Sequence, residues 1–276
     1  MKNIYIIGAG GVGSWLVPSL VRLTSAAQIT VIDMDTLEEK NLDRQLFKPA
    51  DIGKSKAEAL AELYNTHARA EWFSEGALEF DEQDWLLVCV DNHRARAAAL
   101  AECDRWGCKS IFGANETHSA EAYYYDREWR DGPLDPRIYF PDILTDLSGD
   151  PRARGIGCTG EAQQENRQLV TSNMLAAGLM GHLFALWHLH APTVKLKTIP
   201  SLPYRLVANR TRLETHLIKD KLKGQENGRT TNTTVDGGTG GPVVAAGESS
   251  NTSNGTTDGG NAGVTPSSEP AGAVAT

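Results

Sequence analysis

An α/β fold, a doubly wound and mainly parallel sheet with helices on both faces, is predicted by three features of this sequence. Short apolar runs at residues 3–7, 28–32, 85–90 and 110–113 read as strands, and helical patterns at 12–23, 54–64 and 94–106 fall between them. The run at 85–90 is apolar almost throughout, as expected for a strand covered on both faces in a parallel sheet. A glycine-rich turn joins the first strand to the first helix, the opening of a parallel βαβ unit.

The elements that follow are less regular. Residues 120–129, rich in tyrosine, read as a strand. Pro133, Pro136, Pro141 and Pro151 then mark a long crossover loop, a length more often functional than idle. A long helix is expected over 161–190, two strands over 194–207 divided by Pro200 and Pro203, and a last short helix over 212–222. From Gly224 the chain holds no Leu, Ile, Phe, Met, Trp or Tyr, so it cannot bury enough apolar surface to offset its ordering entropy. The expected organisation is therefore a nucleotide-binding domain over 1–223 and a disordered Gly/Thr/Ser/Asn-rich tail over 224–276. That tail carries five acidic residues against one arginine and does not end in Gly-Gly, so it does not read as a modifier protein's own terminus.

The formal charge of −8 over 276 residues leaves no electrostatic footprint for nucleic acid or an anionic membrane. The apolar start breaks into glycines within a few residues and lacks a cleavage signature, and residues 174–189 are interrupted by Gly178, Gly181, His182 and His188. A soluble, cytoplasmic protein is expected. Cys89, Cys103, Cys108 and Cys158 form no C-x-x-C pair, which argues against a structural zinc of that kind and for reduced thiols.

Gly8, Gly10, Gly11 and Gly13 lie in a G-x-G-x-x-G turn that follows a strand and opens a helix. Such a turn lets backbone approach phosphates, and the helix start behind it offers unpaired N–H groups to an anion. Asp33, at the end of the second strand, stands where a carboxylate would hold ribose hydroxyls. These residues alone fit NAD as well as ATP.

The next segments separate the two. Ile32-Asp33-Met34-Asp35, Asn41-Leu42-Asp43-Arg44-Gln45 and Gly53-Lys54-Ser55-Lys56 resemble the ThiF/MoeB/ubiquitin-activating superfamily, whose pattern is D-x-D, N-x-x-R-Q and a lysine three residues beyond a glycine. The resemblance covers about residues 1–115, and more loosely the helix that carries Gln168 and Asn173. It implies a Rossmann-like ATP-dependent adenylyltransferase in which Arg44 and Lys56 meet the triphosphate and Asp35, Asn41 and Gln45 shape its site. It also implies that Asp91, at the end of the 85–90 strand, is associated with Mg²⁺, and that the chain works as a homodimer on a ubiquitin-like or sulfur-carrier protein. Cys158, near the start of the long helix and close to Arg152 and Arg154, is a candidate to accept the acyl group. An ordinary structural role is open for Asp91, as the cap of the helix that follows it. Arg96 matches a further basic position only loosely. Two other readings stand beside this one: a catalytically silent partner subunit, and an NAD-dependent oxidoreductase, which leaves Asn41, Arg44, Gln45 and Lys56 without a purpose.

Overall fold

A computed structural model describes residues 2–116, 118–145, 169–190, 202–209 and 213–217. Cys158, residues 161–168 of the expected long helix, residues 194–201 and the 224–276 tail lie outside the described residues.

The chain opens as strand β1 (Ile4–Ile7), helix α1 (Gly11–Leu23) and strand β2 (Ile29–Ile32). A loop then leads to α2 (Lys56–Tyr64) and β3 (His67–Arg69), followed by β4 (Trp85–Val88), α3 (His93–Trp106), β5 (Lys109–Asn115) and β6 (Ala120–Tyr125). Two short helices, α4 (Pro136–Tyr139) and α5 (Asp142–Thr145), the long α6 (Val170–His190), and strands β7 (Pro203–Ala208) and β8 (Leu213–Leu217) complete the described chain. The strands form one sheet in the order β3-β2-β1-β4-β5-β6-β7-β8. Pairing is parallel from β3 to β5 and antiparallel from β5 to β8.

Alternation along the central strands divides the core into two layers. Ile4, Ile6, Trp85, Leu87 and Ile111 face one cluster with Leu16 and Leu20 of α1, Leu60 of α2, and Met180, Leu183 and Phe184 of α6. Ile7, Leu86, Val88 and Phe112 face the other, with Leu100 and Cys103 of α3 and Ile143 of α5. Side chains that alternate in this way are what a sheet covered on both faces demands. The return from β3 to β4 passes through residues 70–84, which contain no helix, and Phe73, Leu78 and Phe80 cover the sheet there instead. This return crosses β1 and makes the gap between β1 and β4 the point where strand order reverses, the usual ligand position in open α/β sheets.

Several boundaries depart from the sequence reading. β3 was missed, because three residues reading His-Ala-Arg carry no strand pattern; an edge position beside β2 makes them a strand. Within the expected helix over 212–222, the described residues 213–217 are instead strand β8, which pairs with β7 in the register Ala208↔Leu213 through Pro203↔Leu217. A partner edge that satisfies backbone N–H and C=O groups outweighs a weak helical preference. Of the two strands expected over 194–207, the second is described: Pro203 begins β7, and the first residue of a strand is a position that tolerates a missing N–H. Residues 126–129 leave β6 for a 3₁₀ turn capped by Asp126, whose carboxylate accepts the Glu128 N–H at 3.0 Å. Inside the loop, Asp135 and Pro136 start α4 as N-cap and first helical residue.

α3 ends in the left-handed turn of Gly107 (φ +77°), whose N–H donates to the Cys103 carbonyl at 2.8 Å. The buried thiols of Cys103 and Cys108 meet across this turn at 3.6 Å, the apolar contact that such helix ends carry. Among the described residues no helix is long and apolar enough to cross a membrane.

Candidate active site

The C-terminal ends of β1, β2, β4 and β5 place the glycine turn, Asp33, Asp91 and Asn115 along one edge of the sheet. In the turn each glycine answers a different demand. Gly8 adopts φ +96°, and a Cβ there would lie 2.8 Å from Val90 Cγ1. A Cβ on Gly13 would sit 1.9 Å from the Gly8 carbonyl oxygen, so the helix start can pack on the strand end only without one. Gly11 lies against the Asn173 carboxamide, at 2.6 Å from Nδ2 to the ideal Cβ. At Gly10 the nearest atom to such a Cβ is Gln45 Nε2 at 3.9 Å, so there is room above this residue. Gly10 is also the N-cap of α1 and supplies no side-chain cap, which leaves the first-turn amides available to an anion.

Asp33 braces the turn. Its carboxylate accepts the Ala9 N–H at 2.6 Å and the Asp35 N–H at 2.7 Å. Burial, with Asp35 adding to it, raises its pKa above the usual carboxylate value, against the pull of Lys56 and those two amides. A raised folded-state pKa means that the native protein binds this proton more tightly than the unfolded chain. Stability from Asp33 is therefore present below its unfolded value of 3.8 and is lost as pH rises through the folded value. In urea titrations across the acid range, the stability of Asp33→Asn relative to wild type is expected to climb with pH over that window and then level off. A difference that falls with pH would contradict the assignment.

Lys56 is buried at the start of α2, and its ammonium bonds Asp35 at 2.8 Å. Lys54, by contrast, lies on the surface with Asp51 and Glu62, both at 3.1 Å. The geometry thus distinguishes the two lysines, and it shows Lys56 as one half of an ion pair rather than as a bare cation. Asn41 is buried and shapes its own turn: its Oδ1 accepts the Glu38 N–H at 3.0 Å, and its carbonyl accepts from Arg44 and Gln45. Gln45 is buried beside Gly10, and its Oε1 has no hydrogen-bond partner among the described residues. The Arg44 guanidinium bonds the Lys40 carbonyl at 2.8 Å and the Asp43 carboxylate at 3.0 Å.

Asp91 is exposed just beyond β4. It is not the N-cap of α3; Asn92 is, accepting the Ala95 N–H at 2.8 Å. Arg96 ties this corner to the sheet by donating to the carbonyls of Val90 and Gly113, each at 3.1 Å. Cys89 lies beneath the turn, and burial pushes its thiol pKa well up; the hydrogen bond to the Cys103 thiol, with burial adding to it, does the same for Cys108, so neither is poised to ionise near neutral pH.

Sequence reasoning missed the contacts that assemble these parts, and it named Asn173 only through the looser resemblance of its helix. Trp15 Nε1 and Asn173 Nδ2 both donate to the Arg44 carbonyl, at 3.1 and 3.2 Å, and Ser14 Oγ accepts the Leu46 N–H at 3.1 Å. Asn115 Nδ2 in turn donates to Asn173 Oδ1 at 2.8 Å. Trp15 and Ser14 read as ordinary helix positions, and Asn173 lies 129 residues from its partner, so no local pattern connects them.

The family model described as "ThiF family" matches residues 1–134. The tRNA threonylcarbamoyladenosine dehydratase of Haemophilus influenzae is 34% identical over 116 residues, 37% of this chain and 43% of that protein. The NEDD8-activating enzyme E1 catalytic subunit of Caenorhabditis elegans is 52% identical over 60 residues, 21% of this chain and 14% of that one. In fold, the chain resembles E. coli MccB, crystallised with MccA-N7isoAsn, at a TM-score of 0.54 and 18% identity, covering 79% of this chain and 64% of the other. The matches thus span less than half the length of these curated relatives. Residues 1–134, which carry the glycine turn and the D-x-D and N-x-x-R-Q segments, thus match the ThiF family, and the same segments carry the likeness to the ThiF/MoeB/ubiquitin-activating superfamily.

Proposed function

We propose that this chain is an ATP-dependent adenylyltransferase that activates a carboxylate, the C-terminus of a ubiquitin-like or sulfur-carrier protein, as an acyl-adenylate. The observation that carries this reading is the cradle at Gly10. It combines an uncapped helix start, space above the backbone, a buried Gln45 amide with unused bonding capacity, and the Arg44 segment fastened alongside. A nucleotide fits that chemistry, since α1 offers N–H groups to phosphate and Gln45 Oε1 offers an acceptor to a hydroxyl.

Asp91 is the residue we assign to Mg²⁺. Among the described residues no group of three or more His, Cys, Asp or Glu side chains could hold a metal. One carboxylate suffices for magnesium that arrives with phosphates. When bound, the ion supplies charge neutralisation on the phosphate oxygens. In this reading Arg44 leaves Lys40 and Asp43 to meet the departing pyrophosphate, and Lys56, held in place by Asp35, shares its charge with the same oxygens. Asp33 holds the turn and orients the ribose. Cys158 is the proposed acyl acceptor, the working unit is a homodimer in the cytoplasm, and the adenylation domain spans 1–223 with the tail at 224–276.

The test is ATP-pyrophosphate exchange with Mg²⁺ and a panel of proteins ending in Gly-Gly. Exchange is expected to require one of them and to fall about a hundredfold in Arg44→Ala and in Asp91→Ala, the scale of losing one transition-state charge contact. NAD binding in the absence of ATP binding would replace the proposal with an oxidoreductase. ATP binding without exchange would favour the silent partner subunit.

A further inference from the structure

Arg44 is the cation this site most depends on, yet it stands on a segment without regular structure between residues 42 and 48. From α1, Trp15 donates to the Arg44 carbonyl and Ser14 accepts the Leu46 N–H; from the opposite side the segment is held by a chain of two amides. Asn173 is fully buried at the start of α6. Its neighbour on one side is the Arg44 carbonyl, which can only accept, so Nδ2 must point there, at 3.2 Å. Oδ1 then faces Asn115 at the end of β5 and accepts its Nδ2 at 2.8 Å. The same carboxamide packs on Gly11, so closely that any side chain there would strike it. Asn173 therefore touches both halves of the phosphate cradle, the helix start and the Arg44 segment, and Asn115 fixes its rotamer from the sheet.

We infer that Asn173, oriented by Asn115, is a positioning residue that sets the Arg44 backbone against the Gly10–Gly11 turn, so that the α1 amides and the Arg44 guanidinium grip a single triphosphate. This inference rests on the nucleotide reading of the site. It adds that a residue of α6, distant from the glycine motif in sequence and bonded to the Arg44 backbone, determines how well Arg44 works. Asn173→Asp keeps the size and the acceptor toward Asn115 but removes the donor to the Arg44 carbonyl and sets two oxygens against each other.

The experiment measures equilibrium binding of α,β-methylene-ATP and of AMP to wild type, Asn173→Asp, Arg44→Ala and the double variant. Asn173→Asp is expected to weaken α,β-methylene-ATP about tenfold and AMP less than about twofold, because AMP lacks the phosphates that Arg44 meets. In the Arg44→Ala background the same substitution should have no further effect, since the group it positions is gone. Equal weakening of both ligands, or losses that simply multiply in the double variant, would overturn the inference and leave Asn173 a packing residue. Should Asn173→Asp not fold, Asn115→Ser, which removes only the clamp, is expected to show the same split between the two nucleotides, and no split would sink the idea. If wild type binds neither nucleotide, the failure belongs to the proposed function.

Discussion

Gly13→Ala is expected to destabilise the protein by more than about 4 kcal/mol, whereas Gly10→Ala, three residues earlier in the same motif, should stay within about 1 kcal/mol of wild type. The difference follows from what each position meets. A methyl group at residue 13 would lie 1.9 Å from the Gly8 carbonyl oxygen, and the obstacle is backbone at the junction of β1 and α1 rather than a side chain that can swing away. Relief requires lifting α1 from the sheet, and with it Leu16, Val17 and Leu20, all fully buried. At residue 10 the nearest atom to such a methyl group is Gln45 Nε2, 3.9 Å away, so it meets no backbone obstacle. Gly10→Ala should therefore fold normally yet weaken triphosphate binding by about tenfold or more, because its methyl occupies the space above the helix start. Urea denaturation of both variants, with nucleotide titration of the folded one, checks the pair. A stable Gly13→Ala protein would mean that α1 sits farther from β1 than described.

The second large effect is expected at Asp35. Its carboxylate is the ion-pair partner of Lys56, whose side chain is only 4% exposed. Removing one member of such a pair leaves a charge in a poorly hydrated place, a loss of about 3 kcal/mol or more, although the partial exposure of Asp35 keeps it toward the lower end of that range. Asp35→Ala should thus shift the urea midpoint strongly. Asp35→Ala combined with Lys56→Met should recover most of that loss, since no charge then remains to be solvated. Recovered stability would come without recovered nucleotide affinity, because the cation proposed for the triphosphate is absent. If Asp35→Ala falls within about 0.5 kcal/mol of wild type, as for a surface pair, Lys56 must reach solvent readily and its burial is not what sets its charge environment.

How much of this was legible in the sequence depended on distance along the chain. The βαβ opening, the glycine turn and the strand over 85–88 were readable because each is specified within a window of about ten residues. β3 and β8 were not, since each is made a strand by the edge it joins rather than by its own pattern. At the site, the glycines and Asp33 were singled out by motif and spacing, and Asn41, Arg44, Gln45 and Lys56 through the resemblance, but the condition of each was not legible. That Lys56 would be paired, that Gln45 would have an unmet acceptor, and that Asn92 rather than Asp91 would cap α3 depend on contacts the chain forms only when folded. The pairing of Asn115 with Asn173 belongs to the same class: Asn173 was noted only through its helix, and nothing in the sequence joins it to an asparagine at a strand end until the fold brings them within 2.8 Å.

Asp33 has one more implication. Its two carboxylate oxygens each hold a backbone amide, one inside the glycine turn and one in the D-x-D segment, and neither bond involves a ligand. The turn is therefore shaped by folding and not by an arriving anion. The conformational entropy of a flexible glycine loop, which would otherwise be lost at the moment of binding, has already been lost when the chain folds. That order in the turn comes at the expense of burying a carboxyl group whose charge the fold disfavours.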